Sequence, residues 1–359
     1  LVQEDLARSL ERIRDHGHDG FYRGEIARLI VAKMERGGGL VSAQDIESYE
    51  AVERSPVRGS YRGLEIISMG PPSSGGVALV EMLHILEGFD LRAAGFRSAQ
   101  EVHWITEAMR RAFADRARYL ADPDFVEVPI ERLVSPEHAN ELRATIRPDR
   151  ASRSAPDRFE WSAESTETTH LSVVDSDRMA VSLTLTLEES YGARIVVAGA
   201  GFLLNNELGD FNPRAGLTTE GGWIGTSANL AAPGKRPLSS MTPAIVASER
   251  GVELVVGSPG GRTIINTVLQ VILNVVDHGQ SMQQAVDAPR FHHQWLPDEL
   301  VIERFALSPD SKSRLEAMGH RIRVRSGSQG SAMGIRVLRN GVLEAGVDRR
   351  RFGAGAAGH

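Results

Sequence analysis

Thr168, Thr186 and the run Gly257-Ser258-Pro259-Gly260-Gly261 are the residues whose types and spacing best suit a nucleophilic reaction. A threonine hydroxyl attacks a carbonyl only if a base removes its proton. A chain-terminal threonine carries its own base, an α-amine whose ordinary pKa of about 7.7–8.0 suits work near neutral pH. Thr168 qualifies only if the chain is cut before it. It directly follows a stretch from Arg147, through Pro148 and Pro156, that is charged, small and without periodicity. Such a stretch reads as an exposed loop, where chains are cut. The glycine run lies between an apolar strand pattern and a long apolar helix pattern. Its amides and the positive helix end can face a developing oxyanion, and glycine lets backbone approach a substrate closely. Such a turn is also common as plain structure. It is not a phosphate loop, because the required Lys-Ser or Lys-Thr is missing. The acids Glu188, Glu207 and Asp210 can hold an ammonium group, and the hydroxyls of Ser239 and Ser240 a carboxylate. Taken singly, acids and serines like these more often serve as surface or capping residues.

The elements that position these residues follow from periodicity. Leu6, Leu10 and Ile13, then Ile26, Leu29, Ile30 and Met34, recur at helical spacing. Tyr61 to Met69 reads as one strand, running into Pro71-Pro72-Ser73-Ser74-Gly75-Gly76 and a helix carrying Val80, Met82, Leu83 and Ile85. Val102, Ile105, Met109, Ala112 and Phe113 then mark one face of a long amphipathic helix. After Thr168 the period becomes two. Thr169–Val174 and Ala180–Leu187 form a hairpin about a tight loop centred near Asp177. Residue numbers of paired positions then sum to about 354, which sets Thr168 opposite Thr186, roughly 4.5–5.5 Å apart at Cβ. In the second strand Val181, Leu183, Leu185 and Leu187 share a face expected to pack, while Ser182, Thr184, Thr186 and Glu188 share the other. Two further strands are expected at Ala244–Ala247 and Glu253–Val256, and a helix through Ile264, Val268 and Val275. No internal repeat occurs.

Composition narrows the function classes. Of 359 residues, 41% are hydrophobic and 25% charged, an ordinary globular balance with room for a large core. The net charge is −6 and no basic stripe is present, so nucleic acid is not an expected partner. Arg349-Arg350-Arg351 reads as a solvated tail. The absence of cysteine excludes disulfides, thiolate metal sites and a thiol nucleophile. No apolar run reaches the roughly 18 residues that span a membrane; Thr267 to Val276 is short and broken by Gln270 and Asn274. No cofactor is implied. His292-His293 lacks the spacing of a metal-ligand pair and no third ligand is near, so no metal is expected. No Gly-x-Ser-x-Gly pentad marks a serine hydrolase, which leaves Ser73 and Ser74 as turn or backbone-shaping residues.

Thr168-Thr169-His170-Leu171-Ser172-Val173-Val174-Asp175 resembles the start of the small subunit of gamma-glutamyltransferases, also called glutathione hydrolases. Pro71 to Gly76, Gly201 to Phe211, Lys235 to Pro243, Gly257 to Arg262 and Ala288 to Trp295 resemble the same family in the same order. The resemblance implies an α+β fold, the αββα sandwich of N-terminal nucleophile hydrolases, with two stacked antiparallel sheets flanked by helices. It implies a precursor that cuts itself between Glu167 and Thr168. Residues 1–167 would be the later part of the large subunit and residues 168–359 the small catalytic subunit, the two staying together as a heterodimer. Thr168 would be the nucleophile, Thr186 its hydroxyl partner, and Gly260 and Gly261 the oxyanion-hole amides. Glu207 and Asp210 would bind the α-amino group of a gamma-glutamyl substrate such as glutathione, and Ser239 and Ser240 its α-carboxylate. Thr168 would take the gamma-glutamyl group as an ester and pass it to water, an amino acid or a peptide.

At Glu188 some members carry Asn and others Glu, so an ammonium contact there is retained. The family's large subunit extends well upstream of where Leu1 falls, and that part supplies core structure and an arginine that grips the substrate carboxylate. No residue here matches that arginine. The segment from Asn212 to Gly222 takes the place of a lid in some relatives, with Trp223 a lid aromatic or a core residue. A periplasmic or secreted location is implied by the family alone. The alternatives are a cephalosporin (glutaryl) acylase of the same superfamily, and an inactive fragment that only binds or supports.

Overall fold

A computed structural model describes residues 2–155, 167–222, 224–350 and 353–358. Trp223, Arg351 and most of the stretch before Thr168 lie outside the described residues. In chain order the elements begin with α1 (Glu4–His16), α2 (His18–Tyr22), α3 (Gly24–Gly37), α4 (Ala43–Glu47), β1 (Val57–Tyr61) and β2 (Leu64–Ser68). Next come α5 (Gly75–Leu86), α6 (Leu91–Ala94), α7 (Ala99–Tyr119), α8 (Ile130–Leu133), α9 (Pro136–Ala144), β3 (Glu167–Val174) and β4 (Ala180–Glu188). They are followed by β5 (Val196–Val197), β6 (Phe202–Leu203), β7 (Ala244–Ser248), β8 (Gly251–Gly257), α10 (Thr263–Val276) and α11 (Met282–Asp287). The chain closes with β9 (Phe291–His292), β10 (Leu300–Ile302), α12 (Pro309–Ala317), β11 (Ile322–Val324), β12 (Met333–Val337) and β13 (Leu343–Val347).

These elements form two units, residues 1–54 with 187–207, and residues 55–186 with 208–359. In the smaller unit the apolar stripe of α3, Ile26, Ala27 and Ile30, packs with Ile46, Val197 and Ala200. Ser9 Oγ on α1 donates to the Ala200 carbonyl at 2.8 Å.

The larger unit is built on a six-stranded antiparallel sheet in the order β1-β2-β7-β8-β12-β13. Where one strand was expected from Tyr61 to Met69, the chain makes a tight hairpin, with Tyr61 paired to Leu64. Arg62 and Gly63 both have positive φ, 52° and 75°, the conformation a two-residue hairpin loop demands. Helices α5, α7 and α10 pack together beside the sheet. All of α5 is buried, which explains why its sequence, Glu81 and His84 apart, is apolar all round rather than striped. Tyr61 Oη donates to Asp277 Oδ2 at 2.8 Å, tying β1 to the end of α10.

The hairpin of β3 and β4 lies against β8 and β12. The alternation of β4 is as expected, but the face that packs is the opposite one. Ser182, Thr184 and Thr186 are half-buried, whereas Val181, Leu183, Leu185 and Leu187 are 37–53% exposed. Leu171 and Val173 of β3 are exposed as well. The reason is polar: Ser182 Oγ donates to the Val256 carbonyl at 3.2 Å, and His170 binds Thr184, so hydroxyls and imidazole are what meet β8. The fold is therefore α+β, with antiparallel sheets flanked by helices, as the resemblance implied.

In the basic run near the C-terminus Arg349 is exposed, as a solvated tail would be, but Arg350 departs from that expectation. Arg350 Nη1 donates to Glu303 Oε2 at 2.6 Å and Arg350 Nη2 to Asp348 Oδ2 at 2.8 Å. Arg290 Nη1 reaches the same carboxylate at 2.8 Å from a fully buried position. Arg349 pairs with Asp287. Burial of Glu303 and Asp348 recruits Arg290 and Arg350, since an unpaired interior carboxylate is costly.

Replacing Leu185 by Thr should change stability by less than about 0.5 kcal/mol. Replacing the fully buried Ile66 by Ala should cost about 2–5 kcal/mol. Urea denaturation of the two variants checks the contrast; a large loss in the Leu185 variant would mean that its face is covered.

Candidate active site

The β3–β4 pairing can be read from its side chains and its turn. Asp175 N–H donates to the Met179 carbonyl at 3.1 Å, and His170 Nδ1 lies 2.9 Å from Thr184 Oγ1. Both pairs of residue numbers sum to 354. Continued toward the start of β3, this register sets Thr168 across from Thr186, both half-buried on the inward face.

His170 is the residue the sequence reading passed over. Its Nε2 lies 3.0 Å from Ser172 Oγ, so one imidazole ring joins hydroxyls on both strands. The ring also lies directly on Gly257; a Cβ there would sit 2.1 Å from His170 Cε1. Glycine at 257 is thus a condition for the imidazole to fit. Burial lowers the His170 pKa to about 4, so it is neutral at neutral pH. Its position two residues after Thr168, on the same face of a strand, was the signal that could have found it.

From Gly257 the chain turns through Ser258, Pro259, Gly260 and Gly261 into α10. Gly260 has φ +135° and Gly261 φ +55°. At Gly260 a Cβ would meet Thr263 Oγ1 at 2.7 Å and Gly330 Cα at 3.2 Å. The Gly260 and Gly261 carbonyls accept from Thr263 N–H and Ile264 N–H at 3.1 and 3.0 Å. Among the described residues no hydrogen bond uses the N–H of either glycine.

Ser239 and Ser240 are held by the turn that precedes α5. The Ser239 carbonyl accepts from Ser74 N–H at 2.8 Å and Ser74 Oγ at 2.6 Å, while Ser239 N–H donates to the Pro72 carbonyl at 3.0 Å. Ser74 Oγ in turn accepts from Arg116 Nε at 2.8 Å, and Ser240 Oγ accepts from Arg116 Nη2 at 2.9 Å. Ser73 and Ser74 therefore shape backbone, as expected of turn residues. Arg116 was missed, although it continues the apolar series of α7 after Met109, Ala112 and Phe113 with a charge. Arg116, Arg262, Asp210, Asn212, Thr226 and Asn229 line one narrow cleft of about 10 Å³. Asn229 Nδ2 braces the loop by donating to the Asp210 carbonyl at 2.7 Å.

Glu207 and Asp210 are the first and last residues of a single 3-10 turn. Glu188 and Glu207 belong to the smaller unit, the other site residues to the larger. Glu188 is buried at φ 72° and accepts a hydrogen bond from Asn206 Nδ2. The histidine pair is fully bonded. His292 Nδ1 is 2.7 Å from Asn266 Nδ2 and its Nε2 2.8 Å from Gln294 Oε1. His293 Nδ1 accepts from Trp295 N–H at 3.1 Å, and Nε2 lies 3.2 Å from Asp298 Oδ1.

A sequence profile described as gamma-glutamyltranspeptidase matches residues 1–358. The chain belongs to the gamma-glutamyltranspeptidase family. It is 45% identical to the glutathione hydrolase proenzyme of Escherichia coli over 361 residues, covering all of this chain and 62% of that protein. A cephalosporin acylase from Bacillus halodurans superposes with a TM-score of 0.83 at 26% identity, covering 99% of this chain and 63% of that one. A chain of the gamma-glutamyltranspeptidase from Pseudomonas nitroreducens complexed with L-DON is matched over its whole length by 54% of this chain, at 41% identity and a TM-score of 0.50. This member of the family thus spans less than two thirds of the length of the E. coli proenzyme and of the B. halodurans acylase. Among its described residues no helix is long and apolar enough to cross a membrane.

Burial holds His170, His292 and His320 near pKa 4 and His293 near 3, against an ordinary 6.5. Between those values the unfolded chain binds protons that the folded one refuses. The stability these rings contribute is complete above about pH 6.5 and is lost as pH falls toward 4. The urea midpoint should therefore fall over that window, and His170→Asn should flatten the fall by about one proton's worth. An unchanged slope in that variant would show that His170 does not titrate this way.

Proposed function

We propose that the family chemistry is carried out on this chain by Thr168, freed as a chain terminus when the Glu167–Thr168 bond is cut, and that the product is a gamma-glutamyltransferase and glutathione hydrolase. The observation that carries this reading is the inward hydroxyl face of the β3–β4 hairpin. Its His170–Thr184 contact supports a register with Thr168 opposite Thr186, and His170 sits on Gly257, at the head of the glycine turn. The P. nitroreducens chain supports the division, since about half of this chain accounts for all of it.

The chemistry follows from those positions. The α-amine of Thr168 takes the hydroxyl proton as Oγ1 attacks the γ-carbonyl of the substrate, and Thr186 Oγ1 orients that hydroxyl. The N–H groups of Gly260 and Gly261, with the start of α10 behind them, meet the oxyanion as it forms. The bond to the leaving amine breaks as the amine regains a proton, leaving a gamma-glutamyl ester on Thr168. Water, or the amine of an amino acid or peptide, then attacks the ester and restores the threonine. Glu207, Asp210 and Glu188 bind the substrate ammonium. Ser239 and Ser240 bind its carboxylate, with the Arg116 guanidinium adding positive charge behind Ser240. The two subunits remain associated after the cut. Location in the periplasm or outside the cell rests on the family resemblance.

The second reading, a glutaryl or cephalosporin acylase, is favoured by the likeness to the B. halodurans acylase. It keeps the nucleophile and changes the acyl group. Comparing hydrolysis of gamma-glutamyl-p-nitroanilide with that of glutaryl-7-aminocephalosporanic acid separates the two.

Thr168→Ala should abolish both cleavage and activity. A denaturing gel should show one band near 39.1 kDa for the variant and bands of about 18 and 21 kDa for the parent, the mass divided at residue 167. Persistent cleavage in the variant would assign the nucleophile elsewhere. Asp210→Ala should weaken gamma-glutamyl substrates by about 2–5 kcal/mol, the cost of removing one partner of a buried charge pair, while cleavage continues. Steady-state kinetics beside the gel checks this; an equal loss of both would make Asp210 structural.

A further inference from the structure

Three ionisable side chains meet where α5, α7 and α9 pack, and none of them is used above. Glu81, in the middle of α5, is 1% exposed, and neither of its carboxylate oxygens has a hydrogen-bond partner among the described residues. Burial first, and the charge of a second acid, Asp115, second, push the Glu81 carboxyl well above its ordinary range. Asp115 Oδ2 lies 2.6 Å from His138 Nε2, and His138 Nδ1, buried and 3.9 Å from Glu141 Oε2, has no hydrogen-bond partner among the described residues. One ligand atom from each of the three lies within 4.8 Å of the others.

A lone carboxylate in an apolar helix junction is unfavourable, and a second acid beside it makes matters worse. A bound dication reverses both effects. Two carboxylate charges and a neutral imidazole cancel its charge, so the loaded cluster is neutral in its dry surroundings. Carboxylate oxygen with imidazole nitrogen is also a donor set that zinc accepts. We infer that Glu81, Asp115 and His138 form a zinc site clamping α5, α7 and α9 together. Donors sharing a tetrahedral zinc at about 2.0–2.2 Å stand roughly 3.4 Å apart, so the Glu81 and His138 side chains rotate inward as the ion enters. Asp115 immediately precedes Arg116, the arginine that holds Ser74 and Ser240. The ligands come from three helices, which is why no spacing motif reveals them.

A second trio, His103, Glu107 and His320, is equally close but already satisfied. Glu107 pairs with Arg110 and Arg111 and accepts from Ser152 N–H. His103 is fixed between His320 Nε2 at 2.9 Å and the Arg147 carbonyl at 2.7 Å. Two guanidinium groups there oppose a cation, and that trio serves as the control.

The test titrates zinc chloride into the metal-stripped full chain against a chromophoric chelator, with the visible spectrum of the cobalt(II) form as a second readout. One tight equivalent is expected. It should weaken at least about 100-fold in Glu81→Gln and in His138→Ala, since even outer-shell changes cost 10–100-fold, and remain in His320→Ala. Zinc should raise the thermal midpoint of the parent and of His320→Ala but not of Glu81→Gln, which keeps the shape of the side chain and removes its charge. The lack of a tight equivalent, its survival in Glu81→Gln and His138→Ala, or its loss in His320→Ala alone would each overturn the assignment.

Discussion

The contact between the His170 imidazole and the bare backbone of Gly257 is the constraint on which the site depends. A side chain at 257 would occupy the space of the ring. With the ring in place, the polar face of β3 and β4 is drawn against β8, and two distances along the chain are set together. Thr168 lies two residues before the histidine, and the Ser258–Gly261 turn begins one residue after the glycine. Thr168 and the Ser258–Gly261 turn, which begins ninety residues later in the chain, are thereby referred to a single van der Waals contact. That contact involves a ring already held by hydroxyls on both strands.

Much of the interior behind this contact is polar, and it works because the polar groups are paired. Arg116 joins the turn before α5 to Ser240, while Arg290, Asp348, Glu303 and Arg350 form a connected ion cluster in the C-terminal region. Such clusters add little net stability compared with apolar packing, but removing one partner strands the rest. They therefore favour one arrangement of the loops over others. Ser239 and Ser240 gain their positions from this kind of bonding, since loops of Gly, Pro and Ser have no apolar stripe to orient them.

The hairpin inverts the usual relation between polarity and burial. Its leucines and valines face outward and its hydroxyls inward, so local hydrophobicity is a poor guide to which face meets the neighbouring sheet. The inward face is chosen by hydrogen bonds to β8 and by the fit on Gly257. These are contacts between strands that are distant in sequence.

Several features were legible in the residues alone. The helices α3, α5, α7 and α10 follow from apolar spacing, and the β3–β4 hairpin with its pairing sum follows from a change of period to two. The glycine turn before α10 is evident from residues that must tolerate positive φ. The order of the family segments was legible too, because it is a property of sequence. Local signals failed where the answer depended on a partner far along the chain. The Arg62-Gly63 loop looked like part of one strand because the apolar run continues through it. Arg350 looked solvated because its acidic partners are scattered through the chain. Periodicity determines that two faces of a strand differ, since side chains alternate whatever surrounds them. Which face is buried, which arginine reaches Ser240 and which acids share an interior junction are decided only when distant segments pack, because burial and pairing are properties of pairs of elements.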